Sequence, residues 1–503
     1  MSDPLSLNTI YSRLWQAFSS HPAPEVEFTQ AGALHSCFAV TDFASASIAV
    51  AGAQLAQLSG NPSPLRVDRR LASYWFNHSL YPVNRPPQSL WDPLAGDYPT
   101  QEGWIRLHTN AAHHRRAMAR VLGEHDSRAS LASAVRLWQA EALEQAVVEA
   151  GGCAAAMRSA RQWQAHPQGV AVSQEPLLIE TPLPPGSPVD WRLARSRPLL
   201  GIRVLDLTRI IAGPVATRLL AGLGAQVLRI DPPDWCEPTL AEEITLGKRC
   251  ARLNIKTAID KQRLIDLLCQ ADVIVHGYRA DALDTLGLDS ETRARLRPGL
   301  VDVSLNAWGW SGPWRNRRGF DSLVQMACGI ATAGQRWRQA DKPVPLPVQA
   351  LDHATGYLMA AAVLKGLYRR ATCGEGYRAR LSLARVAACL MQYPTPDSPL
   401  SFREPQRGDF QPALEWSAFG LGERLRFRYS WREHRWSGRG RPRRWGRPPR
   451  AGKNYCIRNF SRNWRVRGCC GLANSAFASP CSTIRPWSIK IARSATSRAK
   501  LIS

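Results

Sequence analysis

The stretch that decides the fold reads GIRVLDLTRIIAGPVATRLLAGLGAQVLRIDPP over residues 201–233. Val204–Leu207 and Val227–Ile230 are short, mostly apolar runs of the kind that forms buried strands. Between them, Gly213–Pro214 opens a helical pattern, because proline is well placed in a first helical turn, and Gly222 and Gly224 close it. The stretch therefore predicts a strand, a helix and a second strand in succession.

The same alternation continues downstream. Residues 251–255, 272–278 and 300–309 are predicted strands, and residues 260–269 and 280–297 are predicted helices between them. Alternation of this kind indicates an α/β fold with a parallel, doubly wound, Rossmann-like sheet. The GxGxxG fingerprint of dinucleotide-binding proteins is absent from the sequence. The helix start at Gly213 is still suited to an anion such as a phosphate.

A second stretch, ALDHATGYLMAAAVLKGLYRR at residues 350–370, places an acid directly before an apolar helical run. Asp is a preferred N-cap residue, so the simplest interpretation gives Asp352 a capping role. The alternative is that the helix N-terminus keeps the Asp352 carboxylate ionised and directs it at a substrate. An ionised carboxylate is then able to act as a nucleophile. The stretch by itself leaves both roles open.

A similar pattern occurs 310 positions earlier, in AVTDFASASIAVAGAQLAQL at residues 39–58. Asp42 and Asp352 are each followed by Ala at +2, Ser or Thr at +3 and an aliphatic residue at +6. We interpret the two segments as an internal repeat. The alternative is two unrelated capped helices.

The net charge of +25 would by itself suggest nucleic-acid binding. Residues 431–503, however, carry 18 Lys and Arg against one acid, whereas the other 430 residues carry 47 basic and 39 acidic residues. This tail is rich in Arg, Trp, Pro, Cys and Ser, which favours a frameshifted or disordered end over a genuine basic arm. Nucleic acid is therefore not a predicted partner.

Targeting and metal signals are weak. The N-terminus lacks the basic and apolar regions of a secretory signal, and the apolar run 43–58 is short for a membrane span. The twelve Cys show no paired CxxC spacing, and His113 and His114 have no carboxylate or Cys partner at ligand spacing. We expect a cytoplasmic protein with no metal site and no membrane contact.

Five segments, taken in order, resemble a known family. They are residues 201–231, LGKRCARLNIK at 246–256, ADVIVHGYRADALDTLGL at 271–288, AWGWSGPWRNRRGFDSLVQMACGIA at 307–331, and ALDHATGYLMAAAVL at 350–364. Together they are similar to the class III coenzyme A transferases, the carnitine-CoA and formyl-CoA transferase group (CaiB/BaiF). The resemblance implies a CoA-binding sheet domain, a smaller α+β domain, and the interlocked-ring architecture of the family's dimers.

The resemblance also implies a reaction. The family's catalytic aspartate falls on Asp352, whose carboxylate would attack an acyl-CoA thioester to give a mixed anhydride, and then an aspartyl-CoA thioester. A carboxylic acid acceptor would take over the CoA, so acyl-CoA and a carboxylic acid are the implied partners. CoA is then a substrate, and no tightly bound cofactor is implied. The family's CoA-contacting positions fall on Ile210, Ile211, Ala212, Lys248, Arg249, Tyr278 and Arg318.

Several positions depart from the family pattern. The family often has Asn where Gly277 stands, and a basic residue at the positions of Pro232 and Thr285. The related racemases of 2-methylacyl-CoA use a His where this chain has Phe320, and Phe cannot transfer a proton. This difference favours a transferase over a racemase or isomerase. An inactive CoA-binding protein is a third possibility.

The N-terminal part resembles only the later half of the family, from the aspartate onward, and Asp42 matches that aspartate. We expect a partial unit over residues 1–179, a Pro-rich linker over 180–199, a CoA-transferase unit over 200–430 and the tail over 431–503. This is a tandem, fused form, and it predicts a homodimer or a pseudo-dimer within one chain. Asp42 lacks a preceding CoA-binding half, so a structural relic is favoured over a second nucleophile.

Overall fold

A computed structural model of the 503-residue chain gives the structure. It describes residues 7–61, 64–86, 89–187, 189, 191, 197–279, 281–395, 403–417, 419–427 and 429–431. All of these lie in one compact unit, Met1–Pro442. The predicted tail, apart from Trp431, lies outside the described residues.

The helices are α1 (Leu7–Gln16), α2 (Val40–Ser59), α3 (Arg69–Trp75), α4 (Ala112–Leu122), α5 (Arg128–Val135), α6 (Ala140–Glu149), α7 (Ala160–Ala165), α8 (Pro167–Ser173), α9 (Ala212–Gly222), α10 (Pro238–Thr245), α11 (Ala258–Leu268), α12 (Ser290–Leu296), α13 (Asp321–Ala327), α14 (Ile330–Arg338), α15 (Ala350–Cys373) and α16 (Leu383–Leu390). Short 3-10 turns lie at Asp284–Leu286 and Arg407–Asp409. No helix in the described ranges is long and apolar enough to cross a membrane.

The strands are β1 (Val26–Thr29), β2 (Leu65–Asp68), β3 (Leu80–Pro82), β4 (Gly96–Pro99), β5 (Trp104–Leu107), β6 (Ala154–Ala156), β7 (Ile179–Leu183), β8 (Arg203–Leu207), β9 (Gln226–Asp231), β10 (Arg249–Arg252), β11 (Val273–His276), β12 (Val301–Asn306), β13 (Gly376–Ser382), β14 (Glu415–Ser417), β15 (Gly420–Arg424) and β16 (Tyr429–Trp431).

The central sheet has seven strands in the order β10-β9-β8-β11-β12-β13-β7. The first six strands are parallel to one another. If β8 is counted as strand 1 and β13 as strand 6, their order in the sheet is 3-2-1-4-5-6, which is the order of the doubly wound nucleotide-binding fold. This confirms the predicted parallel α/β sheet. The seventh strand, β7, pairs antiparallel with β13 at the sheet edge. Part of the segment predicted as a linker, residues 180–183, therefore belongs to this strand.

The predicted helix over residues 280–297 is shorter in the structure. It is divided into the 3-10 turn Asp284–Leu286 and α12. The division follows from a local cap: the Asp289 carboxylate accepts a hydrogen bond from the Thr292 N–H at 2.9 Å and so begins a new helix.

The α15 helix lies at the centre of the molecule. It packs on β12 and β13, against α9, and along α2 of the N-terminal part. The sequence pattern indicated one apolar face, but residues from Ala360 to Leu364 are all fully buried. A helix that is apolar on all sides is buried on all sides, and here α2 covers the face that would otherwise meet solvent.

The N-terminal part combines with the end of the described chain. Strand β3 pairs with β15, and β2 pairs with both β1 and β16, so two small sheets join residues from both regions. A third small sheet, β4-β5-β6, carries α4, α5 and α6 with its own apolar core. The sheet β4-β5-β6 and the helices α4, α5 and α6 thus form a small α+β layer with a separate core.

The starts of α2 and α15 have matching geometry. Ala39 (φ −71°, ψ 59°) and Gln349 (φ −75°, ψ 66°) occupy the same uncommon backbone conformation. In each case the next N–H bonds to the carbonyl two residues back, Val40 to Phe38 at 2.7 Å and Ala350 to Val348 at 2.8 Å. This is an inverse γ-turn, and it makes Asp42 and Asp352 the third residue of their helices. The match supports the internal repeat, and the tandem form of the family remains a prediction.

Candidate active site

The strand order of the central sheet reverses between β8 and β11. In open parallel sheets, ligands bind beyond the carboxyl ends of the strands at this point. Ile210 and Ile211 lie in the loop after β8, and Ala212 is the first residue of α9. Tyr278 lies in the loop after β11. The Arg209 guanidinium links the two loops by donating to the Tyr278 hydroxyl at 3.1 Å. Four of the predicted CoA-contacting residues therefore lie together at the topological switch point.

Ile210 carries backbone strain within this loop. Its φ of 67° lies in the left-handed region, which is rare for a β-branched residue. The Ile210 N–H donates to Glu237 Oε1 at 2.7 Å, which helps to hold the strained turn. Strain of this kind persists only where surrounding contacts fix it, and it often marks a ligand-binding turn.

The α15 helix approaches this turn at Gly356. A Cβ added there would lie 2.5 Å from the Ala212 carbonyl oxygen and 2.8 Å from Val215 Cβ. Gly356 is four residues after Asp352, on the same helix face. The glycine contact therefore brings the first turns of α15 against the start of α9, which directly follows the loop that holds Ile211.

Replacing Gly356 with Ala is expected to push α15 away from this loop. Overpacking a tight helix contact costs about 1–3 kcal/mol of unfolding free energy, and the displaced loop should raise the KM for acyl-CoA. Gly222→Ala is the matched control, since a Cβ there meets no described atom within 4 Å. Urea unfolding and steady-state kinetics measure both effects. An unchanged KM in Gly356→Ala would show that this contact does not affect the binding of acyl-CoA.

The predicted basic residues lie in different environments. Lys248 is enclosed: its ammonium contacts Asp206 Oδ2 at 3.0 Å, Thr217 Oγ1 at 2.7 Å and the Pro214 carbonyl at 3.1 Å. Because three protein oxygens surround the group, the geometry favours a structural role over a phosphate contact. Arg249 and Arg318 are exposed.

Asp352 lies beside a second carboxylate that the sequence did not single out. Asp321, at the start of α13, accepts a hydrogen bond from the Asp352 N–H through Oδ2 at 2.9 Å. Its other oxygen accepts from the Gln325 side chain, whose own oxygen accepts from the Leu346 N–H at 2.7 Å. Asp321 therefore satisfies an N–H group in the first turn of α15 that lacks a partner within the helix.

Burial governs the charge of both acids. It raises the pKa of Asp352 well above its usual value, and the neighbouring charge of Asp321 raises it further. Burial also raises the pKa of Asp321 to about 6, against the opposing effect of the Asp352 and Leu351 amides. Two buried carboxylates so close together do not both ionise easily, and they titrate as a pair.

Two expectations about Asp352 are therefore wrong. It is not the N-cap, because Gln349 holds that position and Asp352 is the third residue of α15. The helix start also does not keep it ionised, since its pKa is raised. The helix N-terminus is worth about 0.3–1 kcal/mol at an exposed site. That is too little to offset burial, particularly because Asp321 already accepts the amide hydrogen bond.

Asp42 occupies the equivalent place in α2 but has a different partner. Arg69 donates to Asp42 Oδ1 through Nε at 3.2 Å and also through Nη2. Both side chains are about one-quarter exposed. The Asp42 carboxylate is therefore engaged in an ion pair with Arg69.

A histidine cluster of the N-terminal part reaches Phe320, the residue before Asp321. The His108 ring stacks on Phe320 with 3.9 Å between ring centroids, and the His114 ring lies edge-on to it at 5.7 Å. Burial lowers the pKa of both histidines to about 3. His114 Nε2 also contacts the Cys153 thiol at 3.5 Å. These neutral imidazoles lie near the carboxylate pair, and no pattern in the sequence connected them with it.

The cluster does not form a recognisable metal centre. Within the part of the chain that the structure describes, no group of three or more His, Cys, Asp or Glu side chains is arranged to hold a metal ion. His113 is exposed and His114 is buried, so the second is a packing residue and the first lies at the surface.

A cavity lies next to the strained loop and the start of α15. Its volume is about 440 Å³, including the space at its mouth that is open to solvent. Ile211 lines it from the loop, Gln349 and His353 line it from α15, and Phe76 lines it from the N-terminal part. The candidate site therefore combines residues of the central sheet domain with residues of the N-terminal part.

The sheet order, the loop at the switch point and the buried acid at a helix start together describe an α/β site suited to a nucleotide-bearing ligand. Residues 199–420 match the family model of CoA-transferase family III.

Known proteins are similar over the same region. The chain is 37% identical to the acetyl-coenzyme A transferase of Hypoxylon pulicicidum over 193 residues, which cover 37% of this chain and 32% of that one. It is 30% identical to the succinyl-CoA:glutarate CoA-transferase of Mus musculus over 210 residues, covering 39% and 48%. The crystal structure of a hypothetical protein from Mycobacterium tuberculosis matches with 30% identity and a TM-score of 0.35, covering 39% and 57%. The chain spans about half or less of the length of these two curated relatives.

Proposed function

We propose that this protein transfers coenzyme A from an acyl-CoA donor to a carboxylic acid acceptor, with Asp352 as the nucleophile. The observation that carries the proposal is the contact at Gly356, which brings the Asp352 end of α15 against the start of α9, directly after the loop at the switch point. CoA would lie across that loop, and its thioester would face the start of the helix. The match of residues 199–420 to the family model and the names of the curated relatives support the same activity.

In the proposed reaction, the Asp352 carboxylate attacks the thioester carbonyl, the carbon–sulfur bond breaks and the CoA thiolate leaves. The thiolate then attacks the aspartyl carbonyl of the mixed anhydride, which releases the donor acid and leaves an aspartyl-CoA thioester. The acceptor carboxylate attacks this thioester, the carbon–sulfur bond breaks to release the CoA thiolate, and a second anhydride forms between Asp352 and the acceptor. The thiolate finally attacks the acceptor's carbonyl, which yields the new acyl-CoA and restores Asp352.

The raised pKa of Asp352 is compatible with this role. Once ionised, a carboxylate of high pKa is a stronger nucleophile than an ordinary one. The ionised acid lies in a site with few competing waters, because Asp352 is buried. Ile210, Ile211, Ala212 and Tyr278 would contact CoA, and the exposed Arg249 and Arg318 would supply charge for its phosphates. Lys248 would support the loop from inside.

The N-terminal part is proposed to replace the partner half of a family dimer. The matched starts of α2 and α15, the packing of these two helices, and the shared small sheets support a pseudo-dimer within one chain. On this proposal Asp42 is a relic, held by Arg69, and each chain has one nucleophile.

Trapping the acyl-enzyme tests the proposal. The full-length protein is incubated with acyl-CoA donors and treated with hydroxylamine, then digested and analysed by mass spectrometry. A hydroxamate at Asp352 is the expected result. A hydroxamate at Asp42 alone would reverse the roles of the two aspartates, and no adduct with any donor would refute the transferase proposal.

A racemase is the second candidate, since the imidazole of His108 lies against Phe320 where the racemases have their own His. With its pKa lowered to about 3, His108 is a poor base for an α-proton. We therefore expect no deuterium at the α-carbon of a 2-methylacyl-CoA incubated with the protein in D₂O. Nuclear magnetic resonance of the recovered thioester measures this, and exchange at a rate comparable to CoA transfer would favour the racemase.

A further inference from the structure

The cavity beside Ile211 has mostly apolar walls. Pro214 and Val215 of α9 and Leu240 and Ile244 of α10 line it together with Phe76. The walls therefore favour a hydrocarbon group over a polar one.

The cavity also has one guanidinium and one carboxylate, and these pair with each other. Arg218 and Glu243 form a buried ion pair, with side chains 6% and 13% exposed. Glu243 further accepts from the Ser79 hydroxyl at 2.6 Å and from the Leu80 N–H at 3.1 Å. One Arg218 nitrogen, Nη2, lacks a hydrogen-bond partner among the described residues, but Glu243 already balances the charge.

The two histidines that line the cavity do not add positive charge. Burial lowers the pKa of His78, and it lowers the pKa of His353 well below the usual value. Both imidazoles are therefore neutral near pH 7. A second carboxylate placed in this cavity would meet no unpaired cation among the lining residues, all of which the structure describes, and it would lie close to Glu243.

We infer that this cavity holds the acyl group of the CoA donor, and that it selects an aliphatic monocarboxylic acyl group over a dicarboxylic one. The cavity adjoins both Ile211 of the proposed CoA loop and the α15 turn that carries the proposed nucleophile. An acyl chain extending from a thioester at Asp352 would enter between apolar side chains. The inference rests on the proposed transferase function and adds the chemical class of its donor.

A donor panel tests the inference with the full-length protein. Acetyl-, butyryl-, hexanoyl-, succinyl- and glutaryl-CoA are compared by the rate of hydroxamate formation at Asp352. Each methylene that enters an apolar site is expected to raise the rate constant about fourfold, until the chain fills the cavity. Hexanoyl-CoA should react at least tenfold faster than glutaryl-CoA. Equal or faster reaction of glutaryl-CoA at Asp352 would overturn the inference and leave the transferase function standing.

Three variants, one of them a control, sharpen the test. Val215→Phe narrows the cavity and should lower hexanoyl use at least tenfold relative to acetyl use, whereas Leu219→Phe, one turn along α9 and outside the lining, should not change that ratio. Glu243→Gln leaves Arg218 without its counter-charge and should raise glutaryl use relative to hexanoyl use at least tenfold. Circular dichroism confirms folding, and if Glu243→Gln does not fold, the Val215→Phe ratio decides. An unchanged ratio in Val215→Phe would refute the acyl pocket, and no adduct with any donor in the wild type would refute both proposals.

Discussion

Replacing Asp352 with Asn is expected to lower the rate of CoA transfer by at least roughly 10⁴-fold, because removing a covalent nucleophile costs up to about 10⁶-fold in kcat. An amide does not form the mixed anhydride, so the hydroxamate should also disappear. The same variant should unfold with an equal or higher free energy at pH 7. The reason is that the wild type buries an acid whose pKa is raised by desolvation and by Asp321, and the amide avoids that cost. Loss of activity together with gain of stability is characteristic of a residue retained for function.

Asp42→Asn is the matched control, because Asp42 holds the same position in α2. It breaks the half-buried ion pair with Arg69, and the transfer rate should remain within about twofold of the wild type. Initial rates of acyl-CoA formation and chemical unfolding measure both variants. If Asp42→Asn abolishes transfer and Asp352→Asn does not, the nucleophile belongs to the N-terminal repeat.

The sequence predicted the central sheet well because the signals were local. Strands β8, β9, β11 and β12 lie where short apolar runs alternate with helical segments, and right-handed parallel crossovers then permit few arrangements. The buried position of Lys248 was harder to foresee. One signal was available, because Asp206 lies within the apolar strand β8, and an acid in such a strand needs a partner.

The carboxylate pair was not predictable from spacing. Asp321 and Asp352 are 31 positions apart and belong to different helices, so no periodic pattern in the sequence links them. The direction of the Asp352 pKa shift depends on the same contact. A favourable helix start was visible in the sequence, whereas complete burial and a second acid were not, and these are the larger effects.

The histidine cluster and the cavity depend on contacts between distant parts of the chain. His108 lies more than 200 positions before Phe320, and Phe76 reaches residues of α9, α10 and α15. The internal repeat indicated that the N-terminal part packs beside the second unit. It did not indicate which side chains would meet there, because the two copies differ in most of their residues.

Replacing Asp321 with Asn should shift the pH dependence of the proposed reaction. Asp352 must lose its proton before it attacks, and the nearby charge of Asp321 raises its pKa. Removing that charge lowers the pKa of Asp352, so the acidic limb of the kcat/KM profile should move to lower pH. The amide oxygen of Asn can still accept from the Asp352 N–H, which keeps the start of α15 capped. Asp42→Asn, at the equivalent helix position, should leave the limb in place.

The stability of the same variant should change with pH in a defined direction. Asp321 has a folded pKa of about 6, above its usual value of about 3.9, so the folded protein holds this proton more tightly than the unfolded chain. Its contribution to stability is therefore complete below about pH 4 and is lost as the pH rises through about 6. Since Asn does not titrate, the unfolding free energy of Asp321→Asn relative to the wild type should rise by about 2 kcal/mol between pH 4 and pH 7. Urea unfolding at several pH values measures this difference.

A uniform loss of activity with no shift of the acidic limb, and a stability difference that does not depend on pH, would show that Asp321 acts only as a hydrogen-bond acceptor for the helix.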